Sequence, residues 1–380
     1  MDRHVRIHPR IAEIPAASWD ALRPDDNPFV SHAFLEGLER CGCLRPQWGW
    51  RPHHLALYED ERLVAAAPAY LKGNSHGEFV FDHAWAEAYR RHGLDYYPKL
   101  LCAVPYSPVT GPRLLVGPDR DGARRARLVE ALRGQCQRTG VSGVHANFVD
   151  ADDAAALAAD GWLQRRDWQF HWRNRGYRDF ADFLDALTSK KRRNIRQERR
   201  HAAAHGLEIR LVHGDQATAH ELDAMHGFYA GTFADKGNLP VLSTAFFHHL
   251  AASCGRAMLL ALAGRGDRLV AGALFLRSRH TLYGRYWGSE VDLPGLHFEL
   301  CYYRAIEYAI AEGLQAIEPG AQGEHKLQRG FEPAMTCSYH YIAEPQFRAA
   351  IADWLQGERA WSQRYGETLL AHSPYRTQAT

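Results

Sequence analysis

A six-residue pattern occurs twice in this chain. Residues 62–67 read RLVAAA, and residues 268–273, which lie 206 positions later, read RLVAGA. Each copy follows a short polar turn, and each turn follows an apolar segment that begins at His54 in the first copy and at Met258 in the second. Two apolar segments joined by a tight polar turn are typical of a β-hairpin. The sequence therefore predicts the same hairpin in both halves of the chain.

The segments around the two hairpins also correspond. Strand-like and helix-like patterns alternate through both halves, which is typical of an α/β protein with mixed sheets. In the first half they are strands at 99–105 and 141–149 and helices at 121–139 and 151–162. In the second half they are strands at 280–289, 314–320 and 336–343 and helices at 296–313 and 346–371. We therefore predict two duplicated α/β domains, 1–175 and 176–345, and a C-terminal helical tail at 346–380.

Composition limits the classes to which the chain can belong. Its 380 residues exceed one average domain, and its 46% hydrophobic and 24% charged residues are ordinary for a globular protein. A formal net charge of +2 gives no overall field that favours nucleic acid or membrane. We see no secretory signal and no apolar run of about 18 residues that could span a membrane. With seven scattered cysteines, we expect a reduced cytoplasmic protein without a metal site.

The segment LTSKKRRNIRQERRHAAAHG at 187–206 carries the densest charge in the chain. Seven Lys or Arg residues lie between positions 190 and 200, so their mutual repulsion favours a bound anion. Thr188 or Ser189 can cap a helix here, and Gly206 can end it. We predict that Lys191, Arg192 and Arg196 contact the phosphates of a ligand. A solvated helix between the two halves is the alternative.

From this helix onward, the order of segments resembles the Fem-like branch of the acyl-CoA N-acyltransferase superfamily. The helix is followed by FYAGTFADKGN at 228–238, the second hairpin, YWGSEVDLPGLHFELCYYRAIEYAIAEGL from 286 and GAQGEHK at 320–326. The segment at 76–115 is similar to the same group. Among its members the chain most resembles bacterial proteins named peptidoglycan biosynthesis/recognition proteins, which are predicted N-acyltransferases. The resemblance covers nearly the whole chain and implies two acetyltransferase-type (GNAT-like) domains in tandem.

The resemblance also implies an acyl-donor site in the C-terminal half. Simple acetyltransferases bind the pyrophosphate of coenzyme A with a Q/R-x-x-G-x-G/A turn before a helix. The corresponding segment, SEVDLPGLHFEL at 289–300, has Pro294 and Gly295 but no glycine-rich triplet. Acyl-CoA and aminoacyl-tRNA therefore both stay open as co-substrates. Gly295 and His297 are the candidate donor-binding residues of this segment.

The glycine-rich segment GAQGEHKLQRGFEP at 320–333 is a candidate catalytic loop. Acyl transfer to an amine needs a base, and the pKa of His325 suits that role near neutral pH. Glu324 or Glu318 can serve instead if burial raises the pKa of its carboxyl group. Lys326 and Arg329 suit a phosphate or a carbonyl oxygen. A polar surface turn is the alternative interpretation.

The segment NSHGEFVFDHAWAEAYRRHGLDYYPK at 74–99 combines aromatic with ionisable residues. Aromatic residues in such numbers are typical of packing between parts of a protein. Four polar residues among them are candidates for a pocket that holds a sugar or peptide acceptor: His76, Glu78, Asp82 and Tyr97.

These features predict an N-acyltransferase. It would transfer an acyl or aminoacyl group from a phosphorylated donor to an amine on a cell-wall precursor, a peptide or an amino sugar. The alternative is a non-catalytic protein that recognises a peptidoglycan precursor or tRNA and retains the double fold. The basic helix offers a contact for tRNA under either hypothesis.

Overall fold

The computed structural model describes residues 3–321 and 323–376. The strands are β1 (Arg3–His8), β2 (Trp50–Pro52), β3 (His54–Glu59), β4 (Arg62–Ala67), β5 (Ala69–Lys72), β6 (Lys99–Cys102), β7 (Gly143–Asn147), β8 (Leu163–Arg173), β9 (Glu208–His213), β10 (Met258–Arg265), β11 (Arg268–Arg277), β12 (Thr281–Ser289), β13 (Ala316–Glu318) and β14 (Glu332–Ile342).

The helices alternate with these strands. They are α1 (Ala16–Asp20), α2 (His32–Arg40), α3 (His83–Arg91), α4 (Gly122–Thr139), α5 (Ala151–Ala159), α6 (Phe180–Ala186), α7 (Ser189–Ala204), α8 (Ala219–Asp235), α9 (Thr244–Cys254), α10 (Leu296–Phe298), α11 (Arg304–Ala311) and α12 (Pro345–Ala371). A π-helical turn at Glu299–Tyr303 joins α10 to α11, and a 3-10 helix covers Glu324–Arg329. The chain is thus an α/β protein with a C-terminal helix, as predicted.

The chain forms two compact units that are not continuous in sequence. Unit 1 comprises the residues up to Asp167 together with Met335–Tyr365, and unit 2 comprises Trp168–Ala334 together with the residues from Gly366 onward. These units differ from the predicted segments 1–175, 176–345 and 346–380, because β14 and most of α12 pack with unit 1. Local sequence patterns do not reveal such long-range packing.

In unit 1, helices cover both faces of a mixed sheet. The strands follow the order β2-β5-β6-β7-β14, and only β6 and β7 run parallel. One face packs against α4 and α5 through side chains such as Leu128, Leu132 and Leu157. The other face packs against α3 and α12, where Trp85 and Leu355 are buried. Residues of one strand therefore alternate between two helical layers.

In unit 2, the strands follow the order β9-β10-β11-β12-β13-β8, and only β12 and β13 run parallel. Helix α8 packs on β11 and β12, and the helical segment from α10 to α11 connects β12 to β13. A parallel pair needs such a crossover connection, because its two strands start at the same edge of the sheet. In unit 1, α4 provides the equivalent connection between β6 and β7.

The duplicated hairpin is confirmed, and its two copies share one irregularity. Strand β3 pairs with β1 and β4, and β10 pairs in the same way with β9 and β11. The register of the first hairpin shifts between Leu57 and Tyr58, and that of the second shifts between Ala263 and Gly264. These two shifts have the same separation in sequence as Arg62 and Arg268. Because β-bulges are position-specific features, the agreement supports a true internal repeat.

Each unit takes its last strand from the other half of the sequence. Strand β14, near the end of the chain, pairs with β7 of unit 1, for example Tyr339 with Ala146. The end of β8 pairs with β13 of unit 2, where Trp172 lies opposite Ile317. The return of β14 to unit 1 explains why that unit is discontinuous, whereas unit 2 is discontinuous because the residues from Gly366 onward join it.

Within the described part of the chain, no helix is both long enough and apolar enough to cross a membrane.

Candidate active site

Strands β12 and β13 pair over only three residues each, and a cavity lies where they part. The pairing runs from Thr281 to Tyr283, after which β12 continues to Ser289 while β13 ends at Glu318. The cavity has a volume of about 80 Å³. Its walls come from β11, β12, the residue after β13 and the start of the helix that follows β12; they include Phe275, Arg285, Trp287, His297, Cys301, Tyr302 and Pro319.

An irregular helix shapes one wall of this cavity. The sequence predicts a single α-helix at 296–313, but the helix contains the π-helical turn at Glu299–Tyr303. Such a turn inserts one extra residue and is frequent at functional sites. The turn carries Cys301 and Tyr302, which line the cavity, and Tyr303, which is buried.

His325 connects the predicted catalytic loop to the cavity. Its Nε2 lies 2.9 Å from Oη of Tyr302, so the two side chains are hydrogen bonded. Partial burial lowers the pKa of His325 below its ordinary 6.5, and the nearby positive charges of Arg329 and Lys326 lower it further. The imidazole is therefore neutral at pH 7 and able to accept a proton. Burial raises the pKa of Tyr302, so its phenol keeps its proton.

Gly323 permits this position of His325. Its φ is 117°, in the region that favours glycine, and a β-carbon here would lie 2.5 Å from Cε1 of His325. A side chain at this position would both strain the backbone and displace the imidazole ring.

The two basic residues of the loop are held inside the protein. Lys326 is 3% exposed, and its Nζ donates a hydrogen bond to the carbonyl oxygen of Gly320 over 2.8 Å. Burial lowers the pKa of its amine to about 8. Arg329 is 7% exposed and stacks on the ring of Phe298, with its guanidinium carbon 3.4 Å from the ring centroid.

Glu198 of α7 binds Arg329. Its carboxylate accepts two hydrogen bonds from this guanidinium, over 2.7 and 3.0 Å, and another from the hydroxyl of Tyr303. Arg329 also donates to the carbonyl oxygen of His325 over 2.7 Å. Arg329 was predicted to contact a phosphate or carbonyl oxygen, but these contacts give it a different role. It fixes the loop to α7 and orients the backbone of His325.

The predicted phosphate-binding residues of α7 lie at its outer surface. Arg196 is exposed, and Lys191 is half-buried, with its pKa lowered by burial and by nearby Lys190 and Arg329. Arg192 is half-buried and pairs with Asp185 over 2.5 Å. The helix thus keeps a basic surface in unit 2, the unit that contains the cavity.

Gly295 and His297 occupy the start of the helix that follows β12. Gly295 has a φ of 84°, and a β-carbon there would lie 2.7 Å from the carbonyl oxygen of Glu198. This glycine therefore allows close approach of α7. His297 lines the cavity, and burial together with nearby positive charge lowers its pKa to about 4. His297 is consequently neutral at pH 7.

The two carboxylates named as alternative bases lie apart from the cavity lining. Glu324 begins the 3-10 helix and is exposed, and Glu318 is half-buried at the end of β13. Neither is among the residues that line the cavity.

In unit 1, three of the four predicted acceptor-pocket residues meet in a buried network. Nζ of Lys99 lies 2.7 Å from Glu78 and also contacts Asp82, and the hydroxyl of Tyr97 lies 2.8 Å from Oγ of Ser75. His76 is exposed and is not part of this network, although its carbonyl oxygen accepts a hydrogen bond from Lys72. Burial raises the pKa of Glu78 to about 7.

Sequence patterns did not single out several residues of the site in unit 2. Glu198 lies in a run of basic residues, where its negative charge was the only indication that it forms an ion pair. Tyr302 and Cys301 lie in a helical stretch whose apolar periodicity hides the π-helical turn. Phe298 gave no signal, because an aromatic residue at a helix start is usually part of the core.

Among residues 3–321 and 323–376, no three His, Cys, Asp or Glu side chains are placed to share a metal ion.

The sequence matches a family model over residues 10–377; the family is FemAB-like, described as peptidoglycan biosynthesis/recognition. No curated protein matches the chain at a significant level.

Three solved structures that resemble this fold cover most of the chain. FemX is 11% identical and matches 93% of this chain and 100% of its own, with a TM-score of 0.54. The C-terminal domain of a putative lysylphosphatidylglycerol synthetase from Agrobacterium fabrum is 12% identical and matches 90% of this chain and 96% of its own, with a TM-score of 0.55. A tandem GNAT protein from the clavulanic acid biosynthesis pathway is 13% identical and matches 90% and 98%, with a TM-score of 0.46. The first two similarities extend over both units.

Proposed function

Because the chain belongs to the FemAB-like family of peptidoglycan biosynthesis/recognition proteins, we propose that it is an N-acyltransferase. It transfers an acyl or aminoacyl group to an amine on a cell-wall precursor, a peptide or an amino sugar. The observation that carries this proposal is the cavity between β12 and β13, with a neutral histidine hydrogen bonded to a tyrosine in its wall.

In this reaction, the amine nitrogen attacks the carbonyl carbon of the donor, and the leaving thiolate or alkoxide departs. The amine must lose a proton, and Tyr302, which lines the cavity, has its hydroxyl hydrogen bonded to His325. Tyr302 gives its proton to Nε2 of His325 as its oxygen takes the proton of the amine. His325 is then the base and Tyr302 the relay, and the proton count is balanced. Glu324 and Glu318 remain the alternative bases.

The donor carries phosphate, since acyl-CoA and aminoacyl-tRNA are the two co-substrates under consideration. Lys191, Arg192 and Arg196 provide positive charge on the surface of α7. The same helix contacts the loop through the pair of Glu198 and Arg329. A phosphate contact on α7 can therefore place the acyl group of a bound donor in unit 2 relative to His325.

One observation supports the second candidate, a non-catalytic recognition protein. The turn before α10 lacks the glycine-rich triplet, and Gly295 is occupied by close packing against the backbone of Glu198. A protein that had lost the pyrophosphate site could keep the fold and still bind a precursor or tRNA.

A donor screen by thermal unfolding tests the proposal. Acetyl-CoA, longer acyl-CoA and aminoacyl-tRNA are compared with free coenzyme A and deacylated tRNA. A ligand at about 100 times its Kd stabilises the folded state by about 2.7 kcal/mol, which is a measurable rise in Tm. The proposal expects one donor class to raise Tm and to support transfer to an amine. Binding without transfer favours the recognition protein, and the absence of both would contradict the proposal.

A further inference from the structure

A short segment after α12 packs against unit 2. Helix α12 ends at Ala371, and residues 374–376, called the clasp below, follow a turn. The clasp pairs through Tyr375 with Leu187, antiparallel to the segment that joins α6 to α7. The proposed transfer reaction, as described above, gives the clasp no role.

Backbone hydrogen bonds fix the clasp to the start of α7. The amide of Thr188 donates to the carbonyl oxygen of Pro374 over 3.0 Å, and the amide of Arg376 donates to that of Ala186 over 3.0 Å. Nε of Arg376 also donates to the carbonyl oxygen of Leu187 over 3.1 Å. Thr188 is the residue at which α7 begins. The clasp therefore holds the first turn of the basic helix.

Tyr375 reaches from the clasp to the loop that carries His325. It is 7% exposed, and its hydroxyl donates a hydrogen bond to the carbonyl oxygen of Gly330 over 2.7 Å. Burial raises the pKa of this phenol, so it keeps the proton that it donates. The clasp thus contacts the start of α7 and the end of the loop at the same time.

Gly330 ends the 3-10 helix at Glu324–Arg329, which presents His325. Its amide donates to the carbonyl oxygen of Leu327, and the amide of Phe331 donates to that of Lys326, over 3.3 Å each. These two amides close the last turn of the helix. The hydrogen bond from the clasp to the carbonyl oxygen of Gly330 therefore fixes the end at which this helix stops.

The next residue extends the contact to Tyr302. Phe331 is fully buried, and its ring meets that of Tyr302 edge to face, with 5.2 Å between centroids. Tyr302 is the residue whose hydroxyl is hydrogen bonded to His325. The peptide between Gly330 and Phe331 thus supports the helix of His325 on one side and the ring of Tyr302 on the other.

The ring of Tyr375 is itself held in place. The guanidinium carbon of Arg175 lies 3.9 Å from the ring centroid, a cation–π contact. Arg175 also donates to both carboxylate oxygens of Glu332, over 2.7 Å each. Glu332 begins β14, two residues after Gly330. The phenol is consequently oriented by the same stretch of chain that its hydroxyl holds.

We propose that Tyr375 is a positioning residue for the pair of Tyr302 and His325. By holding the carbonyl oxygen of Gly330, it sets the position of the imidazole relative to the phenol that lines the cavity. It acts through the loop and not on the substrate. The inference rests on the proposed function, in which this pair moves the proton of the amine, but the positioning can be measured without any transfer.

Tyr375→Phe tests the rate. The variant loses the hydroxyl and keeps the ring against Arg175. Single-turnover transfer should become about tenfold slower, because a small displacement of a reacting group can reduce a rate by up to about 10²-fold. Donor affinity should be unchanged, since the backbone contacts between the clasp and α7 remain.

NMR of the full chain labelled with ¹⁵N-histidine tests the position directly. The ring nitrogens of His325 are assigned by the loss of their signals in His325→Gln. We expect both signals to shift in Tyr375→Phe, because the hydrogen bond between His325 and Tyr302 changes. No substrate is needed for this measurement. A shift in a chain that transfers no acyl group would support the positioning and contradict only the proposed function.

Tyr308→Phe is the matched control. Tyr308 lies in unit 2, is also 7% exposed, and its hydroxyl accepts one hydrogen bond from Arg277 over 2.7 Å. This variant should leave the transfer rate and the signals of His325 unchanged, and circular dichroism should show that both variants fold.

Three outcomes would overturn the proposal. The first is that the signals of His325 stay unchanged in Tyr375→Phe. The second is that both variants shift them equally, which would show a general loosening of unit 2. The third is that Tyr375→Phe lowers donor affinity but keeps the normal rate at saturating donor, which would assign the clasp to α7 alone.

Discussion

Glu198 shows how one residue decides the role of its neighbours. Its carboxylate binds both Arg329 and Tyr303, and Arg329 is nearly buried. Removing one partner of such a pair leaves the other charge without compensation, which destabilises more than the pair itself stabilises. The pair therefore holds the loop in place, and the carbonyl oxygen of His325, to which Arg329 donates, is held with it.

The role of His325 can be tested by substitution. His325→Ala should lower the rate of single-turnover transfer by about 10²–10⁴-fold, the usual range for a general base. Donor affinity should change little, because the base acts on the acceptor amine. The pKa of His325 lies below 6.5, so the parent rate should be level at neutral pH and fall as the pH decreases through that lowered pKa.

The control for this measurement is Gln328→Ala, an exposed position on the same 3-10 helix. A normal rate in His325→Ala would remove it as the base. A loss of rate in Glu324→Gln or Glu318→Gln would then assign the role to that carboxylate. If none of the three variants changes the rate, the segment is a polar turn and the recognition hypothesis gains support.

At the scale of the elements, the two sides of α7 differ in their contacts. Glu198 and Arg199 face inward, and Arg199 binds Glu299 and Glu307. Arg193 and Arg196 are exposed. Exposed charges contribute little to the stability of the fold, so their number on this helix is better explained by a ligand.

The basic surface of α7 can be tested with a triple variant. Replacing Lys191, Arg192 and Arg196 by Ala should weaken binding of the phosphorylated donor, because three positive charges are removed from its surface. Tm should change little, since among the residues described the ion pair lost is that of Arg192 with the exposed side chain of Asp185. Donor affinity and Tm are measured on the same sample.

The matched control replaces Arg10, Arg40 and Arg91, three exposed arginines of unit 1, and removes the same charge. Equal loss of affinity in both variants would mean that only the net charge matters. A large drop in Tm with unchanged affinity would show that α7 has a structural role alone.

Much of the fold was predictable from local patterns. The hairpins, the basic helix and the final helix follow from periodicity and turn residues, and α7 and α12 lie within about two residues of their predicted bounds. The pairing of β8 with β13 and of β14 with β7 was not predictable, because the residue pattern of a strand does not indicate which strand it pairs with. The pair of Arg329 and Glu198 spans 131 positions, so neither residue's neighbours indicate it.

For the site, the sequence indicated that the loop at 320–330 holds several ionisable residues. It did not indicate what each of them contacts. His325 reaches the cavity wall, whereas Lys326 and Arg329 are buried in contacts within the protein. Three residues of the predicted acceptor pocket, Glu78, Asp82 and Tyr97, lie in one network around Ser75 and Lys99, and their role in binding an acceptor stays a prediction. Their contact with buried Lys99 was not predicted, because Lys99 begins a strand whose other residues are apolar.

At the scale of the whole molecule, the charges buried in the interior of unit 1 have unequal sets of partners. Unit 1 buries two lysines, Lys72 and Lys99, at opposite positions of β5 and β6. Lys99 has two carboxylate partners, Glu78 and Asp82. Lys72 instead donates to the carbonyl oxygen of His76 over 3.1 Å and lies 3.8 Å from the centroid of the Trp50 ring.

This difference makes Lys72 a source of pH-dependent stability. Burial, and then the like charge of Lys99, lower its pKa from 10.5 to about 7. Between these two values the unfolded chain binds the proton and the folded chain does not. The contribution of Lys72 to the free energy of unfolding therefore rises with pH through this window. Below pH 7 the amine is charged in the folded chain, and the full free-energy cost of burying this charge applies.

Lys72→Met removes this titration and keeps an apolar side chain against Trp50. The Tm of the variant minus that of the parent should therefore be largest near pH 6 and should decrease as the pH rises towards 10. The lost hydrogen bond to His76 lowers the Tm of the variant equally at every pH. The diagnostic quantity is therefore the slope of the Tm difference against pH. A change of about 1 kcal/mol moves Tm by about 2 °C in a chain of this size, which thermal unfolding resolves. Lys236→Met, at an exposed position, should show no such slope. A flat difference for Lys72→Met would mean that water or a rearrangement of the unit 1 network compensates the buried charge.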